Sequence, residues 1–513
     1  MKKPRINKNI GLHPVMIFLI LSFLTIVVSG ILSLFNVQAT FNKVSSITGD
    51  FQVTTEAVNS LFSLSGLKYI FTTTVKNFAN FAVLTNLIII LLGIGIMVKS
   101  GFLKTIITLL TKKAKKFTVT FVFTLICVIS SLIGDLSYII LIPFGALLFM
   151  YGKRNPLIGI ISAFSGLTCG SALSLFITSN DSSMINMTLS NVYILNGSYS
   201  INSFSYLFVM FILIIVLSLV LSNITENYVA KRAPKYEFLE EEVEDDLVLT
   251  KRQMRGLVFS LGAGLIYLLI FIYNIIPGLP FSGKLLDYSQ SLYIDKLFSY
   301  NSFFSNGFVF VVAVFFVILG LFYGMGAKTI TNNKEFIDAL GSSLNGIGKI
   351  LVLIFAASTF INIFKQSNIG NVVVGSITSV LENSTYAGLP LLLLLFLGAI
   401  LMTIFQPHIL YSWSIASGVV PTLMNVGVSA EFSQLVFRLG SAVSLGLTPV
   451  FAYFVVYLAY LENYSQDEKQ ITIKEAIKYQ LPYVGATFII YLIFIIVWYI
   501  LKAPLGIGAS IGI

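Results

Sequence analysis

Charge is scarce in this sequence. Asp, Glu, Lys and Arg make up 11% of its 513 residues, less than half of the roughly 25% found in an ordinary soluble domain. With 56% hydrophobic residues and a mean hydropathy of +0.91, the chain is excluded from the soluble globular class and read as an integral membrane protein. Cysteine occurs only at Cys127 and Cys169, both in apolar surroundings, so neither a disulfide framework nor a CxxC metal site is available. No GxxxxGK[ST] phosphate loop supports ATP hydrolysis, and no HExxH or GxSxG supports an intramembrane hydrolase. The reading is a non-enzyme with no cofactor and no bound metal.

What is abundant is apolar sequence in runs of about 17 to 25 residues, each enough to cross a hydrocarbon core roughly 30 Å thick. The runs are continuous rather than alternating, which excludes a β-barrel and leaves spanning helices, whose backbone is satisfied in lipid. They fall near 15–36, 80–98, 117–133, 136–151, 156–178 and 204–222, then near 256–276, 306–324, 346–365, 386–405, 410–428, 443–461 and 484–502. Between the sets lies a polar segment, giving an N-terminal half 1–222, a charged cytoplasmic linker 223–255 and a C-terminal half 256–513. In the linker, acidic residues from Glu237 to Asp246 are flanked by Lys231, Arg232, Lys235, Lys251, Arg252 and Arg255, a solvated segment rather than a docking element. Several second-half runs are broken by Gly, Pro or polar residues, the rhythm of transporters built from internal inverted repeats.

The net charge of +10 does not point to nucleic acid, because the basic residues sit in short loops between apolar runs. Lys2, Lys3, Arg5 and Lys8, the KKAKK cluster from Lys112 to Lys116, and Lys153 with Arg154 mark cytoplasmic ends. The expected protein is a multi-pass protein of the cell membrane with a cytoplasmic N-terminus. Its first apolar run is too long for a signal peptide and lacks a cleavage site, so it is expected to be a retained helix starting at His13 and Pro14.

Four polar stretches stand out against the apolar background. From Asn155 to Thr225 the only charged residue is Asp181, among Thr178, Ser179, Asn180, Ser182 and Ser183. A carboxylate at membrane depth costs several kcal/mol unless it meets water, a partner or a substrate. The alternative is a helix cap near the interface. Arg438 is the only charged residue between Glu431 and Glu462, and its fork suits an anionic substrate or Asp181 itself. The run MTIFQPHILYSWS holds Thr403, His408 and Trp413, with Pro407 expected to break the helix. His408 is either a proton relay or a structural hydrogen-bonder. Asp135, in SSLIGDLSYIILIP, is equally a proton site or an exposed turn.

Taken together, GLHPVMIFLILSF, LLGIGIMVKSG (91–101), GDLSYIILIPFGALLF (134–149), GKRNPLIGIISAFSG (152–166), LTKRQMRGL (249–257), FYGMGAKTI (322–330) and FRLGSAVSLGLTP (437–449) resemble the p-aminobenzoyl-glutamate transporter (AbgT) family, in order and over most of the chain. The resemblance implies an all-α polytopic homodimer, each protomer with about nine transmembrane helices and two re-entrant hairpins around a cavity open to the cytoplasm. It implies proton-driven transport of p-aminobenzoyl-glutamate, a folate breakdown product, or export of sulfonamide antimetabolites. Asp181, Trp413 and Arg438 fall on the family's site aspartate, tryptophan and arginine, and Thr403, His408, Ser174 and Gly170 complete the expected substrate-binding set.

Departures from the family pattern are concentrated at the site. The GSASAKW-like stretch reads PHILYSW, so serines become His408 and Leu410 and a lysine becomes Ser412; a nearby asparagine becomes Thr403. The aspartate-proline pair reads Asp181 and Ser182, the SPE-like turn has Ala430, and the acid after the arginine motif is Ser441. These changes leave open a carrier of another small anionic metabolite such as a dicarboxylate, and sodium in place of protons if Thr178, Ser179 and Asn180 supply oxygen ligands. An ion channel is disfavoured because no filter-like repeat appears.

Overall fold

The computed structural model describes residues 11–44, 50–175, 177–193, 195–202, 204–234, 236–238, 249–299, 301–466 and 471–512. Lys2, Lys3, Arg5, Lys8, Lys235 and the acidic run from Glu240 to Asp246 lie outside them. Among the described residues, eight helices are long and apolar enough to cross a membrane: Pro14–Leu34, Leu64–Lys99, Lys116–Ile133, Leu207–Arg232, Lys251–Ile275, Phe303–Ala327, Ile347–Ser367 and Ile473–Leu501. The protein is a helical, polytopic membrane protein, as its composition requires.

The remaining apolar sequence is interrupted, and the interruptions follow one order twice. In the first half, Lys116–Ile129 and Leu136–Tyr151 form a hairpin whose tip runs through a 3-10 turn, Ser130–Ile133, to Asp135. Its α-helical arms of 14 and 16 residues rise about 21 and 24 Å, and the first reaches the spanning length counted above only together with its 3-10 tip. A broken helix follows, Pro156–Cys169 and then Ser179–Val192. In the second half, Leu389–Phe405 turns at Gln406-Pro407-His408 into Ile409–Ala416 and Val420–Asn425, and a second broken helix follows as Ala430–Ser444 and Phe454–Tyr464. The hairpins cross over: Leu136–Tyr151 packs on Phe454–Tyr464, and Ile409–Ala416 packs on Ser179–Val192. A two-fold relation between repeats requires such an exchange.

The run expected at 156–178 is therefore one helix, Pro156–Cys169, with a non-helical stretch leading to Ser179–Val192, and the run expected at 443–461 straddles the break between Ala430–Ser444 and Phe454–Tyr464. Hydropathy could not separate them, because the breaks are themselves apolar or small: GSALSL in one, LGLTPVFAY in the other. Helix Ala430–Ser444, which carries Arg438, is buried at every residue and was not marked by an apolar run, since Glu431, Ser433, Gln434 and Arg438 lower its hydropathy.

A β-hairpin unannounced by hydropathy pairs Gln38–Val44 with Phe51–Ala57. It lies against Ile369–Glu382, where Gly375 leaves room for Phe41: a Cβ there would come within 2.3 Å of the ring. Tyr411 donates to Glu56 Oε1 at 2.7 Å, and Lys43 sits 4.2 Å from the Tyr411 ring centre. The hairpin thereby holds the helix turn that follows His408.

Close backbone approach fixes the first repeat. Between Leu136–Tyr151 and Pro156–Cys169 a Cβ on Gly159 would meet the Gly145 carbonyl oxygen at 2.1 Å, and one on Gly145 would meet the Gly159 oxygen at 2.7 Å. Small residues give such contact where lipid supplies no hydrophobic drive to associate. The connecting turn is anchored by Arg154, which bonds Glu226 Oε1 at 2.6 Å and Thr120 at 2.9 Å and covers the Phe149 ring at 4.2 Å. Gly159→Ala therefore forces the backbones apart, costing about 3 kcal/mol or more, whereas Gly262→Ala, with nothing within 4 Å of its Cβ, is neutral. Thermal unfolding of the detergent-purified variants checks this; equal melting temperatures would remove the glycine contact from the account.

Candidate functional site

Breaking a helix inside a membrane frees carbonyl and amide groups that must find partners. Here hydroxyl side chains from neighbouring elements supply them. Past Pro156–Cys169, Tyr138 donates to Leu167 O at 3.3 Å, Tyr491 to Cys169 O at 2.7 Å and Ser131 to Leu173 O at 2.5 Å. At the second hairpin the donors sit on the broken helix: Thr448 reaches the terminal Ile404 O at 2.6 Å, and Ser444 adds a bond to Ile400 O, one turn earlier, at 2.7 Å. The two breaks also touch, since a Cβ on Gly446 would lie 2.8 Å from Thr168 Oγ1.

Asp181 answers to both roles foreseen for it, one on each oxygen. Its Oδ2 accepts from the Thr178 amide at 2.8 Å and the Thr178 hydroxyl at 2.7 Å, closing a capping box on Ser179–Val192. Its Oδ1 lies 2.6 Å from Arg438 Nη1, with both side chains largely buried. The pair is lined by Ser174, Tyr206 and Met210, and the cavity beside it measures about 30 Å³, room for one water molecule. The buried Tyr206 hydroxyl has no protein partner there. Arg438 in this arrangement is thus the partner of Asp181; it is not open to an organic anion.

Three other expected binding residues are engaged in packing in this arrangement. Trp413 is fully buried, its Nε1 donating to Thr188 at 3.0 Å and its ring against Phe437 at 4.8 Å, so no face is free to stack on a ligand. Thr403 is buried and donates to Ala399 O at 2.9 Å, one turn back on its own helix. Gly170 caps Pro156–Cys169 where a Cβ would meet the Val128 Cα at 2.7 Å, so its small size serves the fit of the first hairpin.

The solvent-reachable polar groups lie at the hairpin tips. Asp135, at the tip of the first, lies beside the Tyr453 side chain at the end of the second break and within electrostatic range of His408, at the tip of the second. Asp135 and His408 are both exposed to solvent. His408 Nδ1 accepts from the Tyr411 amide at 3.3 Å and caps Ile409–Ala416. Below Asp135, Tyr453 stacks on Tyr138 at 5.1 Å and 17°, and Phe451 meets Tyr138 edge-on at 5.1 Å. Tyr138, Phe451 and Tyr453 escaped the sequence reading; the turn chemistry of LTPVFAY, a proline inside an aromatic run, was the available signal. No group of three or more His, Cys, Asp or Glu among the described residues could hold a metal ion.

Removing one member of a buried ion pair strands the other, at about 3 to 5 kcal/mol, while replacing both is far milder. Asp181→Asn and Arg438→Met should each lower the melting temperature strongly, and the double variant should lose much less than their sum. Additive losses in that double-mutant cycle would mean the pair does not form.

Comparison with known proteins gives a consistent picture. Residues 7–513 match the AbgT transporter family. The p-aminobenzoyl-glutamate transport protein of Escherichia coli (strain K12) is 26% identical over 501 residues, covering 97% of this chain and 94% of its own. Among solved structures, the YdaH transporter of Alcanivorax borkumensis is 24% identical with a TM-score of 0.48, over 96% of this chain and 100% of its own. MtrF of Neisseria gonorrhoeae, described among antimetabolite efflux pumps, is 26% identical with a TM-score of 0.49, over 98% of each chain. With a match spanning nearly all of its sequence, this chain belongs to the AbgT family of membrane transporters.

Proposed function

We propose that this protein is a proton-coupled secondary transporter of the cell membrane for small aromatic or dicarboxylic anions of the p-aminobenzoyl-glutamate kind, working as a homodimer with its N-terminus in the cytoplasm. The observation that carries this reading is the meeting of Asp135, His408 and Tyr453 where both hairpin tips reach the second helix break. Two titratable side chains open to solvent suit a ligand that carries carboxylates, and the rings of Tyr138, Phe451 and Tyr453, buried against one another, hold the second break beneath them. An ionised Asp135 repels such a ligand and a protonated one admits it. Proton and substrate occupancy are thereby linked at one site, the form that coupling takes thermodynamically.

Arg438 enters as a latch. In the arrangement described it is held by Asp181, and a substrate carboxylate reaching it must displace that partner. The exchange of one carboxylate for another conserves the buried charge balance, so it avoids the cost of an unpaired arginine. Substrate identity within this class is set by the PHILYSW stretch, where Ser412 stands in place of the family's lysine. That loss of a cation favours a second reading, a carrier of a smaller dicarboxylate.

Reconstituted vesicles test both. A pH gradient should drive accumulation or efflux, and replacing sodium with potassium should change nothing. Asp135→Asn should abolish the response to the pH gradient and leave substrate exchange measurable, with a loss in driven flux of about 100-fold, the upper part of the range for removing a proton-transferring group. A sodium gradient that suffices alone would overturn proton coupling. Thermal shifts with p-aminobenzoyl-glutamate, a sulfonamide and a series of dicarboxylates choose between the substrates.

A further inference from the structure

A large apolar crevice is remote from the polar site. A crevice of about 840 Å³ lies on the outer flank of the first hairpin, between its arms and helices Lys251–Ile275 and Phe303–Ala327. Val122 and Ile126 of one arm, Phe144 and Leu148 of the other, and Leu265 and Phe316 opposite line it. It is open on its side, since Val122, Ile126 and Leu265 are 47%, 44% and 59% exposed. An opening of that composition faces hydrocarbon.

One end is marked by charge. Thr111, Ala114 and Thr118 line the crevice, and they alternate in sequence with Lys113, Lys115 and Lys116, all exposed. No Asp or Glu occurs between Glu56 and Asp135 to compensate these lysines within their own stretch of chain. From Thr118 to Ile126 the lined wall rises about 12 Å, close to the roughly 15 Å that one leaflet contributes to a 30 Å hydrocarbon core. The lysines then stand at phosphate level of that leaflet.

We infer that this crevice binds an anionic glycerophospholipid, its acyl chains between the hairpin and the two long helices and its phosphate on Lys113, Lys115 and Lys116. The depth of one leaflet and the cationic rim together select a lipid over a soluble ligand, and an anionic headgroup over a zwitterionic one. The same arm that touches the acyl chains, Leu136–Tyr151, begins at Asp135. Occupancy of the crevice therefore bears on how freely the hairpin tip moves, and the transporter should depend on anionic lipid.

The full-length protein, purified and reconstituted in phosphatidylcholine vesicles with and without phosphatidylglycerol, tests this by mass spectrometry of retained lipid. The wild type should retain phosphatidylglycerol in preference to phosphatidylcholine. The Lys113→Gln, Lys115→Gln, Lys116→Gln variant should lose that preference, about fivefold for each lysine removed. Leu265→Trp, which fills the crevice from an exposed position, should reduce retention of both lipids while leaving the lysines intact. A preference unchanged in the triple variant, or full retention in Leu265→Trp, overturns the proposal. Because retained lipid is read directly, failure here is separable from failure of the transport reading.

Discussion

A membrane offers no water to a stranded carbonyl, and every unusual feature near the site follows from that. Pro156–Cys169, Leu389–Phe405 and Ala430–Ser444 all stop where a spanning helix would continue, so each leaves acceptors that hydrocarbon cannot satisfy. Tyr138, Tyr491 and Thr448 meet acceptors at the ends of the first two of these helices, and Ser131 meets one in the break after the first, with donor–acceptor distances from 2.5 to 3.3 Å. Hairpin tips and helix breaks are thus held together by single neutral hydrogen bonds, each with a net value of about 1 kcal/mol. Contacts of that size can be exchanged between conformations, which a carrier that alternates its access needs.

The ion pair of Asp181 and Arg438 is of another order. Both side chains are largely buried and the cavity beside them admits little more than one water. Since Asp181 also caps the second half of the first broken helix, breaking the pair by rotating the carboxylate would unsettle that helix start as well. Arg438 in turn stands two turns before the second break. The pair joins the two broken helices, so movement of one repeat against the other is registered there.

Much of this was legible in the sequence, for physical reasons. Continuous apolar runs fixed the membrane class and the helical fold, and the isolation of Asp181 and Arg438 in uncharged sequence marked them as residues that must find one another or a ligand. Pro407 marked the second hairpin's turn. The break at 445–453 was invisible because a hydropathy window averages over small and apolar residues regardless of backbone conformation, whereas the one at 170–178 borders the small polar residues around Asp181, which suit an unwound segment. Asp135 could be read as an exposed loop residue because the first hairpin looks, from sequence, like two spanning helices; its partner Tyr453 lies more than three hundred residues away. Trp413 and Thr403 show the converse: a family resemblance marked the positions, while Phe437, Thr188 and Ala399 determine what these side chains touch.

The account stands on the convergence of the two hairpin tips at a solvent-reachable site. It is tested most directly by cysteine labelling of Gly134→Cys and His408→Cys, each in a background with Cys127 and Cys169 replaced by serine. Both positions should react with a membrane-impermeant maleimide applied to the purified protein in detergent, and p-aminobenzoyl-glutamate or the preferred dicarboxylate should slow both reactions in parallel. Labelling of one tip that substrate protects while the other is unaffected, or no protection at either, would contradict a shared site.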